Sequence, residues 1–140
     1  MKVVSDTLFS NDTKTLESTL NHRLQRQKVI VGNIANSMTP GYRALGYDFE
    51  TQLQKSLASG KNSSMTTTDP RHVRGQGVAG NGDFKADLHV KPTESIGNDG
   101  NTVDVDREMS DLAENQILYN FTVEVLNRRL AMLRYGINGG

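Results

Sequence analysis

The sequence predicts a mainly α protein in which long N- and C-terminal helices pair as an antiparallel, coiled-coil-like hairpin. A short helix and a loop-rich, weakly β or disordered middle separate them. Three observations carry that prediction. From Met109 onward, steps of three and four residues land on Met109, Leu112, Gln116, Tyr119, Val123, Leu126, Leu130, Leu133 and Ile137, an unbroken heptad series. Toward the other end, Leu16, Leu20, Leu24, Gln27, Val31 and Ile34 recur at helical spacing. Between the two, Gly60 to Gly100 is rich in Gly, Ser, Thr, Asn and Asp and poor in apolar anchors.

The elements follow in order. Residues 1–44 hold a first helix from about Asn11 to Ser37, capped by Asn11, Asp12 or Thr13 and stopped before Pro40, which disfavours helical backbone at the residue preceding it. Residues 45–60 read as a short amphipathic helix, Tyr47 to Ala58, with Phe49, Leu53 and Leu57 four apart and Gly60 as its stop. Residues 61–101 form the loop region, whose best strand candidate is the alternating run Phe84 to Val90. Residues 102–140 hold the long last helix, capped by Asp104 or Asp106 and stopped at Gly136. The four stretches make one domain.

Composition limits the function. With 140 residues, 35% of them apolar, no Trp and 13 Gly, a large compact core is not expected. Sixteen basic residues balance sixteen acidic ones and form no long stripe, which argues against a nucleic-acid partner. Without Cys there are neither disulfides nor thiolate metal sites. The stretch Met1 to Thr7 turns polar before an apolar region forms, unlike a cleavable secretory signal. The longest aliphatic run, Val29 to Val31, falls far short of the ~20 residues that a membrane-spanning helix needs.

No catalytic, metal or cofactor site is expected. His22, His72 and His89 are scattered, and none has a second ligand at helical spacing. Gly75 to Gly80 matches the letters of a phosphate-cradling G-x-G-x-x-G loop, but no strand precedes it. Asp104, Asp106, Glu108 and Asp111 lack the Gly and closing Glu of a calcium loop and suit a solvated first turn.

The expected seam joins Leu16, Leu20, Leu24, Val31 and Ile34 to Leu112, Tyr119, Val123, Leu126, Leu130 and Leu133. The opposite side of the last helix carries Leu118, Phe121, Val125, Met132 and Tyr135, and a helix apolar on two sides must be covered on two sides. Leu118, Phe121, Val125 and Met132 are therefore candidates for contacts between subunits. The alternative is that the short helix folds back and closes a three-helix bundle.

One segment is more specific. Asn33 to Arg43 reads as a helix end running into an exposed turn, where Asn33 and Asn36 bond nearby backbone, Thr39-Pro40-Gly41 sets the turn and Tyr42 packs back. Through Asn33, Ile34, Ala35, Asn36, Thr39, Pro40, Gly41 and Tyr42 the chain resembles the N-terminal signature of the bacterial flagellar rod and hook family. Tyr42 to Glu50, Thr66 to His72 and Gly100 to Met109 are similar to its short proximal-rod members. The resemblance implies a structural subunit of the basal body's periplasmic rod, exported through the flagellar type III apparatus without a cleaved signal. Such a subunit would assemble through its terminal helices and transmit torque from the membrane ring to the distal rod and hook. The implied partners are other copies of the chain, the FliE adaptor, the membrane (MS) ring, export gate proteins and other rod proteins such as FlgC and FlgF. No nucleic acid, membrane span or cofactor is implied. Two alternatives stand beside this: the short rod protein FlgC itself, and a soluble coiled-coil adaptor or export chaperone.

Overall fold

The computed structural model describes residues 11–61, 85–92 and 96–139. Along the chain run α1 (Asn11–Ala35), β1 (Leu45–Asp48), α2 (Glu50–Lys61), β2 (Asp87–Val90) and α3 (Val105–Asn138). The two long helices pack on each other. Their sense is antiparallel: the Asn115 amide donates to the Arg23 carbonyl at 2.9 Å, while Arg129 meets Asp12 at 3.1 Å. The mainly α hairpin read from the sequence is therefore present. No described helix is long and apolar enough to cross a membrane.

Local chemistry sets the helix ends. Asp104 sits in extended backbone and its carboxylate accepts the Arg107 N–H at 3.2 Å, satisfying one of the first-turn donors that have no partner within the helix. At the far end Gly139, with φ of 73°, terminates α3 in the left-handed region. The helix thus runs through the expected stop at Gly136. After Ala35 the backbone tightens: the Asn36 N–H points to the carbonyls of Gly32 and Asn33, both at 3.1 Å, and the Thr39 N–H closes a turn on Asn36.

The middle departs from the expected helix over residues 45–60. Leu45–Asp48 is a strand, paired antiparallel with β2 in the register Leu45↔Val90, Gly46↔His89, Tyr47↔Leu88, Asp48↔Asp87. The helix starts only at Glu50. A partner forty residues away decides this, and the local spacing of Phe49, Leu53 and Leu57 carries no trace of it. The strand expected at Phe84 to Val90 is found at Asp87–Val90; Phe84 lies outside the described residues. Helix α2 leaves Leu57 exposed and makes few contacts with the long helices, so it does not close a three-helix bundle.

The seam is more polar than the sequence suggests. Among the described residues only Ile30, Ala44 and Phe49 are buried apolar side chains, whereas Thr19, Arg23, Asn33, Glu108, Asn115 and Thr122 are buried polar ones. On α3 the buried Glu108, Asn115 and Thr122 stand seven residues apart, flanked by the half-buried Leu112, Tyr119, Leu126 and Leu133. On α1 the inward line passes through Thr19, Arg23, Ile30 and Asn33, one residue before the expected Leu20, Leu24, Val31 and Ile34. Leu24, Val31 and Leu130 are accordingly exposed, at 42%, 48% and 40%, while Leu16, Leu20, Ile34 and Val123 are half-buried. Apolar periodicity tracks greasy residues, but these helices approach through small and hydrogen-bonding ones. The hydroxyls of Thr19 and Thr122 each bond the carbonyl four residues back at 2.7 Å, so neither needs a partner across the seam.

Candidate functional site

The signature turn is held by three asparagines, Asn33, Asn36 and Asn101, that bond backbone. The Lys91 N–H donates to the Ala44 carbonyl at 2.8 Å, which makes Ala44 and Lys91 a hydrogen-bonded pair of the ladder. Leu45 and Val90, the next pair, are then non-hydrogen-bonded, and the polar groups of Leu45 face away from β2. Asn33, with no exposed surface, answers both: its Nδ2 donates to the Leu45 carbonyl at 2.8 Å and its Oδ1 accepts the Leu45 N–H at 3.0 Å. The Tyr42 hydroxyl donates a second bond to Oδ1 at 3.2 Å. One side chain of α1 thus serves as a further strand edge for β1.

Asn36 braces the helix end, donating from Nδ2 to the Gly32 carbonyl at 2.8 Å and accepting the Thr39 hydroxyl at 3.2 Å. Asn101, 7% exposed and just ahead of α3, reaches across to the same end. Its Nδ2 lies 2.9, 3.0 and 2.8 Å from the carbonyls of Asn36, Ser37 and Thr39, and its Oδ1 accepts the Val103 N–H at 2.8 Å. Three carbonyls just past the end of α1 therefore converge on a residue some 65 positions away. Gly41, with φ of 70°, sends its N–H to the Asp99 carbonyl at 2.9 Å, and Thr102 closes the contact by pairing with both Tyr42 and Ala44. Of the signature positions, Asn33, Asn36, Thr39, Gly41 and Tyr42 join this network; Pro40 is exposed, and Ile34 and Ala35 occupy the last turn of α1.

Two further contacts tie the hairpin to the strands. Phe49, fully buried, stacks on His22 with ring centroids 5.4 Å apart, under the guanidinium groups of Arg26 at 4.8 Å and Arg23 at 5.5 Å. Arg26 grips both Glu50 carboxylate oxygens and the Tyr47 carbonyl. Burial alone would raise the Glu50 pKa, but its hydrogen bonds to Arg26 prevail and hold the carboxyl below its ordinary value.

Lys91, beyond β2, bonds the buried Glu108 at 2.6 Å and Asp111 at 3.1 Å on α3. Burial pulls the Lys91 pKa down, yet the two carboxylates outweigh it and hold the ammonium above its ordinary value. A group whose pKa rises on folding stabilises fully below its unfolded value, and loses that contribution as pH climbs through the folded one. Stability should therefore fall on the alkaline side of the ordinary lysine value of 10.5. Lys91→Met should cost about 2–3 kcal/mol at neutral pH, because Glu108 stays buried without its cation, and its urea midpoints should show a shallower alkaline decline than the parent's.

The histidines weighed and set aside in the sequence lie in separate settings. His22 shares a hydrogen bond with the Tyr47 hydroxyl at 2.7 Å, and His89 lies on β2 between Asp48 and Asp87, each 3.7 Å away. His72 and the Gly75 to Gly80 stretch lie outside the described residues. Sequence reasoning passed over Lys91, Asn101 and Asn115 as functional positions. Asn101 falls in the Gly100 to Met109 stretch of the resemblance, but nothing local assigns it to α1; a lone Lys after a strand and a lone Asn within the long helix, as at Lys91 and Asn115, are too common to decide anything.

What the hairpin leaves uncovered is the more distinctive feature. Phe121, Met132 and Tyr135 are 63%, 70% and 71% exposed, as are Ile117 and Ile137 at 69%, while Leu118 and Val125 are half-buried against their own chain. Large apolar side chains thus line the outside of α3 while polar ones line its inside.

Comparison with known proteins gives a consistent result. The family model described as "Flagella basal body rod protein" matches residues 14–43, which span most of α1 and the signature turn. The flagellar basal body rod protein FlgB of Salmonella typhimurium is 34% identical over 128 residues, covering 89% of this chain and 91% of the relative. That of Bacillus subtilis is 36% identical over 133 residues, covering 95% and 98%. That of Escherichia coli is 34% identical over 118 residues, covering 81% and 83%.

Proposed function

This chain belongs to the FlgB family of flagellar basal body rod proteins, and on that premise we propose that it is a structural subunit of the proximal rod that carries torque through its paired terminal helices. The observation that carries this reading is the inversion of α3: its inner line is Glu108, Asn115 and Thr122, while Ile117, Phe121, Met132 and Tyr135 lie outside. Covering one large apolar side chain contributes about 1.5–3 kcal/mol, so several per copy supply a strong drive toward association. Contacts spread along two long helices share load among many small terms, and such a joint resists torsion without any single critical bond.

The proposal extends to neighbours of different kinds. Other copies of the chain would cover the outer face of α3, with Phe121, Val125 and Met132 at the contact and Leu118 at its edge. The FliE adaptor, the membrane ring, export gate proteins and rod proteins such as FlgC and FlgF would meet the two ends of the layer, on the periplasmic side and after export without a cleaved signal. Phe121→Asp tests the core of this reading. Phe121 is 63% exposed, so the fold should survive; a carboxylate in the contact should abolish rod assembly and swimming while the protein is still exported. Normal swimming by that variant would remove the proposed interface.

A further inference from the structure

We propose that α3 of one copy packs its outer face on α1 of a second copy displaced along the hairpin axis by about 20 Å; this rests on the rod-subunit reading above and specifies its contact. The two outer faces have the same repeat. On α1 the exposed residues Glu17, Asn21, Leu24, Lys28, Val31 and Ala35 follow in steps of four and three. On α3 the exposed residues Ile117, Phe121, Glu124, Arg128, Ala131 and Tyr135 follow in the same steps. Laid antiparallel, the two rows match along their whole length. Ala35 meets Ile117, Val31 meets Phe121, Lys28 meets Glu124 and Leu24 lies along the stem of Arg128. Glu17 reaches the turn of Tyr135, next to Arg134.

Charge selects this register. Glu17, Lys28 and Arg134 are exposed and have no ion-pair partner among the described residues; Glu124 pairs only with Arg128 on its own helix surface. The proposed register gives Lys28 an acid and Glu17 a base while setting Phe121 on Val31. A neighbour at the same height sets apolar side chains against charged ones. Within one hairpin Arg23 is level with Asn115 and Asp12 with Arg129, so an unshifted copy would put Phe121 near Glu17, Leu24 near Glu114 and Val31 near Arg107. Moving from that level to the matched one takes about 12 residues, close to 20 Å at about 1.5 Å per residue. A contact between two different faces with a translation along the axis cannot close into a flat ring and generates a helical stack.

The chain has no cysteine, which makes cross-linking clean. Cells would co-express one copy bearing Val31→Cys with another bearing Phe121→Cys, so that every disulfide joins two copies. After mild oxidation the basal-body fraction should contain the covalent dimer, and the level pairing, Glu17→Cys with Phe121→Cys, should give none. A dimer from the level pairing, or from neither pairing with both copies incorporated, overturns the staggered contact while leaving the rod-subunit reading intact. Absence of the parent protein from basal bodies would instead defeat that reading. Charge exchange supplies the second measurement: Glu17→Arg should lower incorporation about fivefold, and adding Arg134→Glu should restore it. No restoration by the double variant overturns the register, whether or not the cysteine variants assemble.

Discussion

Replacing Asn33 by leucine is expected to destabilise the chain by about 3–5 kcal/mol, although leucine has nearly the same volume and is the more apolar residue. The cost arises on β1. Leu45 occupies a non-hydrogen-bonded position of the ladder, so its N–H and C=O turn toward α1, where the Asn33 amide is the group that meets both. Leucine would leave a donor and an acceptor buried without partners, each costing about 1–3 kcal/mol, and would orphan the Tyr42 hydroxyl as well. Asn33→Asp is the informative companion. Aspartate keeps an acceptor for the Leu45 N–H but sets an oxygen against the Leu45 carbonyl, so it too should fail despite its matching shape. Urea midpoints followed by circular dichroism measure both; a midpoint for Asn33→Leu within error of the parent's would show that β1 does not depend on this amide.

Asn101→Asp should be worse than Asn101→Ala, by about 3 against about 2 kcal/mol. Near the start of α3 an added carboxylate would ordinarily be welcomed by the helix dipole. Here the Nδ2 group instead faces three carbonyls at the C-terminal end of α1, spreading two protons over the oxygens of Asn36, Ser37 and Thr39. Alanine removes the donor, whereas aspartate puts negative charge where negative partial charge already converges. Thermal denaturation of the two variants decides the order. If aspartate were the milder change, the dipole of α3 would outweigh the capping of α1.

The helix pair was legible because the apolar repeat is long and because Asp104 and Gly41 carry plain boundary chemistry. The line of closest approach was not, and the miss has one cause. Thr19, Arg23, Asn33, Glu108, Asn115 and Thr122 leave no mark in a hydrophobic pattern, so the reading settled on Leu24, Val31 and Leu130 beside them. On α3, Leu112, Tyr119, Leu126 and Leu133 are half-buried beside that line. The strand at Leu45–Asp48 was invisible because its partner is remote and its own residues flow into a helical spacing. Within the turn, the side chains could be recognised as backbone-bonding types, but Asn101 could not be assigned to α1 until the fold brought residues 36 and 101 together.

The ladder between β1 and β2 has a consequence for how such a chain can vary. Asp48 and Asp87 face each other across neighbouring strands, about 5 Å apart, so everything threaded between them departs and returns through one doorway. A longer passenger there adds only slowly to the entropy of closing the loop, about 0.6 kcal/mol for each doubling. The doorway makes that stretch a natural berth for grafted modules, which could grow from a few residues to an entire folded unit while the hairpin beneath keeps its geometry.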